Sequence, residues 1–85
     1  MKLLIQADDY GITRAVSSGI VFGIHHGLVR NTGIFTNMDW TEECLDMIKP
    51  YLDQIDLGID LNISTGRPIL PTYQIPTLVN QEGIF

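Results

Sequence analysis

Three short apolar runs, residues 2–7, 29–36 and 55–63, alternate with two stretches of helical periodicity. Strand–helix–strand order calls for a parallel sheet, because each helix carries the chain back to the same end before the next strand begins. The predicted fold class is therefore α/β, a β-α-β-α-β parallel sheet. The first run reads as a buried strand and residues 8–13 as a loop. Thr13 is placed to cap a helix reaching about His26, with Val16, Ile20, Ile24 and Leu28 as its apolar stripe and Gly27 as its stop signal. A second helix is expected from Thr41, its presumed cap, with Glu42 and Glu43 in the first turn, where the dipole favours acids. Trp40 and Leu45 would staple its start, and Leu45, Ile48 and Leu52 would line one face. Pro50 should end or kink it near Lys49.

With 85 residues there is room for one small unit. Residues 64–85, which contain Pro68, Pro71 and Pro76, read as a long loop. Parallel strands need cover on both faces, and two helices are too few for three strands. The chain is thus expected to be the opening part of a larger α/β domain, exposing a strand edge and apolar helix faces, and so to form a homo-oligomer. A net charge of −5 with only five Lys and Arg argues against nucleic acid or an anionic membrane as partner. No apolar stretch approaches membrane-spanning length. The lone Cys44 leaves neither a disulfide framework nor a cysteine zinc site, and a reducing, cytoplasmic compartment is the simplest expectation.

In parallel α/β folds, ligands gather at the carboxyl ends of the strands. Asp8 and Asp9 follow the first run, Asn37 the second, and Asp60 and Asn62 lie near the end of the third. Adjacent carboxylates repel unless a cation or a proton relieves them. Oxygen ligands suit hard ions such as Mg²⁺ or Mn²⁺. A carboxylate pair can also divide its work, one oxygen set holding a metal and the other taking a proton from water. The same pair could equally be a solvated turn, and Asp60 a strand-end residue facing water. His25 and His26 fall late in the first helix, away from this rim, and Cys44 reads as a packing residue.

Taken together, the segments resemble the N-terminal part of the YdjC/ChbG family of carbohydrate deacetylases. The family's A-D-D-F/Y-G motif stands here as Ala7-Asp8-Asp9-Tyr10-Gly11. Its G-L/I-V-x-x-T/S segment is matched from Gly27 to Thr32, and its strand ending in Asn by Ile34-Phe35-Thr36-Asn37. The G-x-H-L-N-L-T-x-G-x-P-L-x-P stretch corresponds to the residues from Gly58 to Pro71, and an L-V/D-x-x-G-x-F ending to those from Leu78 to Phe85. The resemblance implies a barrel-like (β/α) fold, for which a full barrel needs about 250 residues. It implies hydrolysis of an N-acetyl group on an amino sugar, such as a chitin-derived oligosaccharide. By position, Asp8 would be the general base, and Asp9 and Asp60 metal ligands. Asn37 and Asn62 are the candidates for substrate binding. Asp60 stands where the family has His, and three carboxylates favour Mg²⁺, Mn²⁺ or Ca²⁺ over Zn²⁺. Two alternatives remain open. One is a catalytically inactive relative that binds a cation or associates as an interaction module. The other is a phosphoacceptor receiver-like domain, which also ends its first strand in an acidic pair.

Overall fold

A computed structural model describes residues 1–85. Three parallel strands, β1 (Ile5–Tyr10), β2 (Val29–Phe35) and β3 (Asp56–Asp60), pair in the order β1-β2-β3. Helix α1 (Arg14–His26) joins the first two strands, and α2 (Thr41–Ile48) joins the second and third. Strands that neighbour each other in sequence order are the arrangement of a (β/α) barrel. A receiver-like doubly wound sheet would instead set its first strand between the second and third. The order found here rules that alternative out.

Helix α1 begins where its capping chemistry places it. Thr13 is extended, at φ −145° and ψ 160°, and its hydroxyl accepts from the Val16 amide at 3.1 Å. Its buried side chains are Ser17, Ile20 and Ile24. Val16 and Leu28, expected in the apolar stripe, are exposed, because the buried arc turns toward Ser17. The Ser17 hydroxyl donates to the Thr13 carbonyl and accepts from the Gly11 amide, both at 2.9 Å, so a polar residue fits this buried place.

Helix α2 corrects the expected cap. Thr41 is its first helical residue, and Trp40 holds the cap position without a side-chain capping bond. The Thr41 hydroxyl turns backwards instead, accepting from the Met38 amide and donating to the Phe35 carbonyl, each at 3.2 Å. Trp40 donates through its indole N–H to the Gly11 carbonyl at 2.7 Å and packs against the core alongside Leu45. The helix gives way at Lys49–Tyr51 to a 3₁₀ turn that admits Pro50, and Leu52 is left exposed.

Six side chains form the core: Tyr10, Ile20, Ile24, Ile34, Cys44 and Ile48. They come from two strands and both helices, so the helices share one face of the sheet. The first strand starts later than its apolar run, and Leu3 and Leu4 are exposed. β3 is shorter than residues 55–63, and its Ile59 is 67% exposed because no helix lies over it. Beyond β3 the chain makes turns and one 3₁₀ segment, Thr72–Gln74. The topology is that of part of a (β/α) barrel-like fold. No helix is long and apolar enough to cross a membrane.

Candidate active site at the β1 bulge

Asp8 and Asp9 are part of β1 rather than of the loop after it. Ala7 pairs with Thr32 and Tyr10 with Ile34, so the two aspartates together stand opposite one residue, Gly33. This is a β-bulge, a device that re-aims side chains where it occurs. Asp9 carries the extra residue's strain at φ 68°, the only non-glycine in the left-handed region. Asp tolerates that conformation better than most residues. The Asp9 carbonyl accepts from the Ile12 amide at 3.1 Å, which closes the turn into α1.

The bulge resets the alternation of the strand. Ala7 packs against the core and Tyr10 is fully buried in it, although three residues apart they should point to opposite faces. Tyr10 donates its hydroxyl to the Cys44 carbonyl at 2.5 Å. Burial pushes its pKa far above the ordinary 10.0, and the neighbouring Cys44 adds to the shift. Anchoring Tyr10 in the helix layer leaves both acidic side chains exposed.

Gly33 is the floor of the site. A Cβ placed there would fall on the carboxylate of Asp60, so the close approach of Asp60 depends on the missing side chain. Asp8, Asp9 and Asp60 line one open cavity of about 400 Å³, together with Phe35, Asn62 and Ser64. Nowhere are three His, Cys, Asp or Glu side chains grouped so as to hold a metal ion. The donor chemistry is nonetheless all oxygen, the type a hard cation takes.

Asn37 and Asn62 meet each other at the neighbouring rim. Asn62 Nδ2 donates to Asn37 Oδ1 at 2.8 Å and to the Thr65 carbonyl at 2.7 Å. Asn37 Nδ2 donates to the carbonyls of Thr65 and Arg67 at 2.9 and 3.0 Å. Asn62 Oδ1 accepts from the amides of Ser64 and Thr65, both at 3.1 Å. Both side-chain NH₂ groups are fully engaged within the chain, so the pair shapes the loop after β3. A mostly apolar cleft of about 230 Å³ opens beside them, between Asp60 and the side chains of Ile63, Leu78 and Phe85.

His25 and His26 lie at the far end of α1, where His25 meets Tyr51 edge-on at 5.7 Å. Three residues of the acidic face were not singled out from sequence: Gln6, Asn31 and Gly33. A glycine in the middle of a strand run is a signal for a bulge or a close approach, and Gly33 stands opposite the bulge and beneath the close-lying Asp60 carboxylate. Nothing comparable marks Gln6 and Asn31.

A family profile described as YdjC-like protein matches residues 2–85. A carbohydrate deacetylase of Halalkalibacterium halodurans is 39% identical over the whole chain, which covers 35% of that protein. One from Clostridium beijerinckii is 36% identical over the whole chain, covering 34% of it. A crystal structure from Enterococcus faecalis, described as a candidate cellobiose-phosphate cleavage protein, superposes with a TM-score of 0.88 at 30% identity. The match takes in 96% of this chain and 32% of that one. The chain thus spans about a third of the length of the curated relatives it matches.

Proposed function

Because this chain belongs to the YdjC-like family, we propose that it supplies the acidic rim of a metal-dependent hydrolase that removes N-acetyl groups from amino-sugar oligosaccharides. The observation that carries this reading is the β1 bulge, which turns Asp8 and Asp9 out opposite Gly33 while the Asp60 carboxylate lies over that glycine. Asp8 is the general base, accepting a proton from the attacking water. Asp9 and Asp60 hold a divalent metal, Mg²⁺ first, with Mn²⁺ or Zn²⁺ as the other candidates. When bound, the metal polarises the amide carbonyl and acidifies the attacking water. Asn37 and Asn62 serve substrate binding by fixing the rim against which the sugar lies.

The test uses the complete gene product, assayed for acetate release from N-acetylated chitooligosaccharides with and without a chelator. Asp9→Asn is the preferred control, since Asn also tolerates a positive φ whereas Ala adds strain. Asp8→Asn should cut kcat by about 10²–10⁴-fold, the usual contribution of a positioned base. Release that a chelator does not affect, or that equals the Asp9→Asn control, would sink the proposal.

Asp60 in place of the family's His favours a second reading as a cation-binding or interaction module without catalysis. Asp60→His separates the two. A large gain in acetate release points to an enzyme altered at one ligand, and no gain from an inactive parent points to the module. In either case exposed Leu61, Ile63 and Ile69 favour self-association of the 85-residue chain. Light scattering that finds a compact monomer contradicts that part.

A further inference from the structure

Gln6 and Asp8 lie two apart on β1, and Asn31 is the register partner of Gln6 on β2, so the three share one face of the sheet. They form a chain of hydrogen bonds. Asn31 Nδ2 donates to Gln6 Oε1 at 2.8 Å, and Gln6 Nε2 donates to Asp8 Oδ1 at 2.8 Å. We propose that Gln6 is a positioning residue for Asp8, and that Asn31 acts through Gln6 by fixing which end of its amide faces the carboxylate. The inference rests on the reading of Asp8 as the base.

The polarity of this chain follows from elementary chemistry. An ionised carboxylate only accepts, so Gln6 must turn its NH₂ toward Asp8. Its carbonyl then faces Asn31, which must supply a donor. Free in water, a glutamine amide presents either end with nearly equal ease. Asn31 removes that choice. Holding Oδ1 of Asp8 also orients Oδ2, the oxygen left to take a proton from water. The hydrogen bond is to a charged group and so is of the stronger kind.

Two substitutions probe the relay without removing Asp8. Gln6→Met keeps the length of the side chain and loses the amide. Asn31→Asp keeps the shape of its side chain but presents only acceptors, so Gln6 lies between two carboxylates, its carbonyl loses its donor, and nothing fixes its NH₂ on Asp8 any longer. In the complete gene product each variant should lower kcat roughly tenfold or more with KM unchanged, the scale of one charge-assisted hydrogen bond. The double variant should be no worse than Gln6→Met alone, because Asn31 has nothing left to act on. That comparison also removes the simple effect of an added charge, which would persist in the Gln6→Met background.

A second measurement does not depend on activity. In ¹⁵N spectra of the same protein, the Gln6 side-chain NH₂ should show two well-separated proton resonances with slow solvent exchange. Asn31→Asp should move both. If the parent protein releases no acetate, the deacetylase reading fails, and the spectrum still decides the relay. A Gln6 signal that ignores Asn31→Asp overturns it, and so do kinetic losses that multiply in the double variant.

Discussion

On the helix side of the sheet, Tyr10 and Ile34 are sealed beneath Ile20, Ile24, Cys44 and Ile48. On the opposite side, Gln6, Asn31, Gly33, Gly58 and Asp60 border an open and largely polar hollow. The same three strands build both faces, since alternate residues point opposite ways. One face is under pressure to exclude water and tolerates little change in volume. The other holds its side chains by hydrogen bonds to one another and to backbone. Close packing and the proposed chemistry thus fall on opposite sides of one sheet, and a substitution should betray which side it sits on by which quantity it changes.

The largest effect expected is from Ile24→Ala on the sealed side. Ile24 is 1% exposed, and truncating such a residue costs about 2–5 kcal/mol. Chemical denaturation should show this as a lower midpoint at unchanged slope. Gly33→Ala should come next. Its new methyl displaces the Asp60 carboxylate, which borders open space and can swing aside. Stability should fall by no more than about 1–3 kcal/mol, the usual range for overpacking, while the acetate release proposed for the complete gene product falls to background. An unchanged rate would break the link between Gly33 and the site.

Tyr10→Phe should be milder, about 1 kcal/mol, the net worth of one buried hydrogen bond. It also carries a pH signature. Because the folded-state pKa of Tyr10 is raised, its contribution is fully present below about pH 10 and is lost as pH climbs above that. The variant should lack this part of the alkaline loss, so the stability gap between the two proteins narrows above pH 10. Gln6→Met should be the smallest, within about 0.5 kcal/mol, as expected for an exposed position. A large destabilisation there would mean that the open face carries folding energy after all, and the contrast between the faces would fail.

Much of the arrangement was legible from the sequence because it is set by local chemistry. Thr13 caps α1 through its own hydroxyl, and Pro50 turns the end of α2 into a 3₁₀ segment; both signals act within a few residues. Asp60 does end β3, near where the sequence set it, whereas Asp8 and Asp9, read as the start of a loop, lie inside β1 because the strand continues through the bulge to Tyr10. Thr41 misled because a threonine serves a cap and a first helical turn equally well, and the decision fell to the carbonyl of Phe35. Val16 and Leu28 misled because the helical stripe was counted from apolar residues alone. The buried arc passes through Ser17, whose hydroxyl is satisfied by Thr13 and Gly11. The tie between Asn37 and Asn62 spans twenty-five residues and depends on the loop after β3, so no local pattern announces it.

The bulge at Asp8 and Asp9 has a consequence for anyone who would transplant or redesign this site. A strand is a two-phase device, and the single surplus residue is a half-period delay inserted between Ala7 and Tyr10. Removing it would not simply delete one acid. It would throw everything downstream out of phase, so that either Tyr10 is driven into water or a carboxylate into the helix layer. The unit that must be kept whole is therefore a count of residues between two anchors, Ala7 and Tyr10. Replacing either aspartate alters a side chain, whereas shortening the segment by one reverses the face to which Tyr10 points.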